Sequence, residues 1–75
     1  MATWRAERWK AHPYQGEELV AYVSGTSEDY ANEAAIRYVE ALQAQGFEIA
    51  LAGAEEVKLS KGTETFVVRV RRLEK

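Results

Sequence analysis

The chain has no cysteine, and only one histidine, one proline and one methionine among its 75 residues. Without thiols there is no disulfide framework and no thiolate metal site to support a small core. That absence also suits a reducing compartment, so a cytoplasmic location is expected. The lone His12 stands next to Pro13 in a turn-like stretch, with no cysteine or activated serine near it in sequence. General acid–base or nucleophilic catalysis therefore finds no constellation to work with, and the chain is expected not to be an enzyme. Glu55 and Glu56 are adjacent, so in a strand they point to opposite faces and do not form an acid/base pair. Glycines 16, 25, 46, 53 and 62 are scattered, which excludes a phosphate-cradling loop, and each reads as a turn or cap. No metal-ligand spacing occurs, and neither metal nor cofactor is expected. Apolar runs are only a few residues long, so no membrane span or export signal is expected.

What is present is the composition of an ordinary folded domain, 47% hydrophobic and 29% charged. Residues 1–75 are expected to form one small α+β domain. A chain this short buries roughly 60% of the surface its unfolded form exposes, so its margin of stability is thin. The formal charge of −2 conceals a segregation. Arg5, Arg8 and Lys10 lie at one end and Lys58, Lys61, Arg69, Arg71, Arg72 and Lys75 at the other, while residues 17–56 are acidic. If the two ends lie side by side, a positive face stands opposite an acidic one.

The clearest element is a helix over residues 27–45. Thr26 reads as its N-cap with Asp29 three residues on, Glu28 and Asp29 complement the dipole, and Gly46 fits the C′ position. Tyr30, Ala31, Ala34, Ala35, Tyr38, Val39 and Leu42 share one side of the wheel, and the small residues permit close approach to a sheet. Strands are expected at "ELVAYVS" (18–24), "FEIALA" (47–52), "EVKLS" (56–60) and the return strand after "SKGT". Alternation groups Leu19, Ala21 and Val23 apart from Val20 and Tyr22. It groups Phe47, Ile49 and Leu51 together, and sets Phe66, Val68 and Val70 against Thr65, Val67, Arg69 and Arg71. The opening "TWRAERWK" reads as a further strand before the turn "HPYQG", which puts Trp4 and Trp9 on opposite faces. The expected fold is β-β-α-β-β-β, a four- to five-stranded mostly antiparallel sheet with the helix on one face.

One helix covers one face only, so the other meets water or a partner. Trp9, Arg5, Arg8, Tyr22, Val67, Arg69 and Arg71 are the candidate contact residues. A tryptophan serves as apolar anchor, Tyr22 as a second aromatic contact and the arginines as orienting charges, the residue types enriched at interface hot spots. Trp9 is expected at the interface and Trp4 inside. The function expected is a small protein-interaction module that forms a homo-oligomer or binds, regulates or inhibits a larger protein. Single-stranded nucleic-acid binding by the same aromatic and arginine face is the alternative, ranked lower because the sequence pI is near 5.4.

The run "VSGTSEDYANEAA", followed by "FEI" and a long final strand, resembles the dodecins, small β-α-β-β flavin-binding oligomers, over residues 20–74. That resemblance implies a second alternative, a small-ligand-binding oligomer. Flavin is not carried over, because Gly46 stands where the family's stacking tryptophan belongs, the helix is shorter and an N-terminal segment is added.

Overall fold

The computed structural model describes residues 2–73. Five strands and one helix follow in the order β1 (Thr3–His12), β2 (Gly16–Gly25), α1 (Glu28–Ala44), β3 (Glu48–Ala52), β4 (Glu56–Lys61) and β5 (Glu64–Leu73). They form one antiparallel sheet in the order β2-β1-β5-β4-β3, the α+β arrangement read from the sequence. "TWRAERWK" is a strand beside the centre of the sheet, paired on both sides. The two basic chain ends do lie together, as β1 and β5. Because β1 separates β2 from β5, the residues that resemble the dodecins do not make a contiguous sheet by themselves.

The helix starts one residue later than the capping-box reading places it. Ser27, not Thr26, is the N-cap, and its Oγ accepts a hydrogen bond from the Tyr30 backbone N–H at 3.2 Å. At the other end Gly46 takes φ 99°, its N–H donates to the Gln43 carbonyl, and the Phe47 N–H donates to the Leu42 carbonyl. This is a Schellman termination, and it brings Phe47 back onto Leu42 in the core. No basic residue occupies the last helical turn, but Lys61 Nζ, from β4, donates to the Gln45 carbonyl at 2.7 Å.

The core on the helix side is built from Leu42, Phe47, Leu59 and Val68, with Phe66, Val57, Tyr38 and Val39 packed against it. Phe47 and Phe66 meet edge to face at 5.3 Å. Ala31, Ala34 and Ala6 are buried, so small residues on helix and sheet allow their close approach. Tyr30, placed on the inner stripe, is 48% exposed, yet its ring lies so near Gly25 that a Cβ there would stand 2.5 Å from it.

Two strands depart from simple alternation. β2 shifts register between Arg8 and Trp9 of β1, leaving Val20 as the extra residue and pairing Leu19 with Trp9. Residues directly opposite share a face, so Leu19 leaves Ala21 and Val23 and joins Tyr22. β3 shifts between Ile49 and Leu51: Ile49 pairs with Leu59 on the helix side and Leu51 with Lys58 on the other. The expected grouping of Phe47, Ile49 and Leu51 is thus broken by a bulge at Ala50. A bulge inserts a residue without any compositional sign, which is why alternation missed both.

Candidate functional site

The face turned away from α1 is defined by register. One row across the sheet reads Leu19, Trp9, Val67, Lys58 and Leu51, taken from β2, β1, β5, β4 and β3. The next row reads Tyr22, Glu7, Arg69 and Glu56, and beyond it lie Ser24, Arg5 and Arg71. The first row is largely apolar and the second is charged. The sheet therefore places six of the seven candidate contact residues together: Trp9, Arg5, Tyr22, Val67, Arg69 and Arg71.

Arg8 is the exception. It pairs with Val68, points to the helix side, and lays its guanidinium 4.8 Å above the Phe66 ring. Its parity along β1 is that of Trp4 and Ala6, so no regular strand carries Arg5 and Arg8 on one face. Its Nε is buried with no hydrogen-bond partner among the described residues. Burial pushes the Tyr38 hydroxyl pKa up, and the Arg8 charge offsets part of that rise. Trp4 and Trp9 do lie on opposite faces, and both are half-buried. Val67 lies on this face but is fully buried, so it supports the surface from beneath and is not itself a contact residue.

The residue the sequence reading did not single out is Glu7, which is fully buried on this outward face. Trp9 Nε1 donates to its Oε1 at 3.0 Å, and Arg71 Nε donates to its Oε2 at 2.9 Å. Arg5 approaches the same Oε2 at 2.8 Å while its guanidinium lies 4.3 Å from the Tyr22 ring centroid. Burial raises the Glu7 carboxyl pKa; the hydrogen bonds from Trp9 and Arg71 and the charges of Arg71 and Arg5 outweigh it and hold the group below its ordinary value. The available signal was positional: a lone glutamate at i+2 from Arg5 and i−2 from Trp9 shares their face in any strand.

Arg69 is clamped in the same way. Its NH1 and NH2 donate to Glu17 at 2.7 and 3.1 Å, and its Nε donates to Glu56 at 2.8 Å. The paired fork geometry fixes the guanidinium, which stacks 5.5 Å from the Trp9 ring. These bonds, to Glu17 first and then Glu56, raise the Arg69 pKa, and they lower that of Glu17. Glu7 thus holds both Arg5 and Arg71, and Arg69 holds both Glu17 and Glu56, three arginines against three carboxylates. The three arginines of the expected positive face are balanced by three carboxylates that the register brings onto it from β1, β2 and β4, leaving Lys58 as its further cation.

At the hairpin end His12 Nε2 lies 2.8 Å from Glu18 Oε1, an exposed pair remote from these rows. No cluster of three or more metal-ligating side chains occurs among the described residues. No described helix is long and apolar enough to cross a membrane. No family model matches the chain, and neither a curated protein nor a solved structure matches it.

Proposed function

We propose that the chain is a non-enzymatic protein-interaction module that self-associates through the outward face of its sheet. The observation that carries this reading is the row Leu19–Trp9–Val67–Lys58–Leu51, apolar but for Lys58 and with Val67 buried beneath it, beside a row of ion-paired arginines and glutamates. Tyr22 and Leu51 stand 56% and 55% exposed on that face, and the half-buried Trp9 is held rigid by its bond to Glu7. A preorganised surface of tryptophan, tyrosine, leucine and ion-paired arginine loses little side-chain entropy on docking. Two such faces meeting about a two-fold axis bury the apolar rows against each other. The same surface suits the regulation or inhibition of a larger protein, in the cytoplasm.

The nucleic-acid alternative is disfavoured on the same geometry. Phosphate binding draws on unpaired cations, and here the arginines of the face already hold carboxylates. The dodecin-like ligand-binding alternative has no stacking residue at position 46 and no family match behind it. Tyr22→Thr tests the proposal, since it removes the exposed ring, puts a strand-favouring β-branched residue in β2 and removes none of the groups bonded to Glu7. Association measured by light scattering falls if this face mediates it and stays unchanged otherwise.

A further inference from the structure

The outward face carries a cover of its own. Glu17 leaves β2 on the far side of the row that holds Trp9, opposite Ala11, whereas Arg69 leaves β5 opposite Glu7. The two are separated by the whole of β1 and by four positions along it. Strands lie about 4.8 Å apart and rise about 3.4 Å per residue, so only extended side chains lying along the sheet close such a gap. These do close it, at 2.7 and 3.1 Å, and their path crosses Trp9, whose ring centroid is 5.5 Å from the guanidinium. From the other side Glu56 of β4 accepts from Arg69 Nε at 2.8 Å. Glu56, Arg69 and Glu17 thus form a strap laid across β4, β5, β1 and β2.

The strap explains why this face buries anything at all. α1 lies on the other side of the sheet, yet Val67 is fully buried and Trp9 beside it is half-buried. Val67 is two residues from Arg69 on the same face of β5, so the arginine's aliphatic stem, heading for Glu17, passes over it. The side chains of Arg69, Glu17 and Glu56 are themselves 28, 33 and 35% exposed. The strap therefore sits at the surface, where it can part without disturbing the core.

We infer that the strap is a brake on association through the outward face: closed, it keeps the face of the Trp9 ring from a second copy, and open, it adds that ring to the surface that Leu19, Tyr22 and Leu51 present. Docking with the strap closed buries its three charges, and the desolvation of ion pairs in an interface can exceed their attraction. A chain whose most apolar surface is only a minor population associates with an affinity reduced by that fraction. Glu17 is the release point. Without it, Glu56 is the remaining carboxylate on Arg69 and draws the guanidinium toward β4, off Trp9. The brake rests on the self-association proposed for this face; the cover over Trp9 does not.

The test is Glu17→Ala in a Trp4→Phe background, so that fluorescence reports Trp9 alone, with Glu18→Ala as the control. Glu18 carries the same charge at the next position but lies on the helix side and pairs with His12. At a dilution where the chain is monomeric, Glu17→Ala is expected to move the Trp9 emission to the red and to raise its quenching by acrylamide. Light scattering over a concentration series is expected to show association tightened by about tenfold, for an open population of about one in ten. Tyr22→Thr added to Glu17→Ala removes that gain, and Glu18→Ala changes neither reading. An unshifted Trp9 spectrum overturns the strap as a cover. A shifted spectrum with association unchanged or weakened, or an equal effect of Glu18→Ala, overturns the brake. A shifted spectrum with no association of parent or variant at any concentration overturns the self-association, and the brake with it, while the cover over Trp9 stands.

Discussion

Trp9 and Glu7, two positions apart on β1, are joined side chain to side chain by a 3.0 Å hydrogen bond, with the indole N–H donating to a fully buried carboxylate. Glu7 is the point to which Trp9, Arg5 and Arg71 all converge. The outward face is therefore a structural layer in its own right, and changes to its arginines act on stability as well as on contact.

Arg71→Ala removes one of two cations holding Glu7. The buried carboxylate keeps Arg5 and Trp9, so the cost falls short of that for a fully orphaned charge, at about 2 kcal/mol. Denaturant unfolding of the variant reads this as a lower midpoint at unchanged slope. An unchanged midpoint contradicts the structural role of Glu7. Replacing Arg69 and Arg71 together with alanine is expected to cost more than Arg71→Ala alone, because Glu17 and Glu56 lose their shared cation as well.

Acid acts through the same groups. Glu7 and Glu17 have folded-state pKa values below the ordinary 4.5, so their contribution is complete above that value and is lost as pH falls through the lowered ones. Stability is expected to be flat near neutrality and to drop below about pH 4.5, with Glu7→Gln showing a shallower acid limb. Thermal melts across pH 2–7 check the sign, and a variant with the same acid limb as the parent contradicts the assignment.

Gly25→Ala sets a methyl group into the Tyr30 ring. Tyr30 sits in the exposed first turn of α1 and swings away, losing its packing, at a cost of about 1 kcal/mol. The double variant Gly25→Ala, Tyr30→Ala should recover most of the difference, measured as non-additivity in a double-mutant cycle.

Labelled single-stranded RNA and DNA at low salt are expected to give no saturable anisotropy change. The matched arginines leave few cations to release counterions from phosphate. Binding that weakens steeply with salt would restore the nucleic-acid alternative.

The order of elements, the helix stripe and the faces of β5 were legible because periodicity and the Gly62 hairpin are local properties of sequence. The opposite placement of Trp4 and Trp9 followed from parity alone. Leu19 and Leu51 were misplaced because bulges at Val20 and Ala50 invert parity midway along β2 and β3. Arg8 was grouped with Arg5 by charge, although its position along the strand assigns it to the helix side. The neutralisation of the face was hidden because Glu17 and Arg69 are 52 residues apart and meet only through the strand order β2-β1-β5.

Light scattering on the full chain over a concentration series, run beside Tyr22→Thr, tests the proposed self-association most directly. A mass that is a multiple of 8.5 kDa for the parent, falling to the monomer value in a folded Tyr22→Thr variant, is the predicted result. A parent chain that remains at 8.5 kDa at every concentration, or a variant that associates as well as the parent, contradicts it.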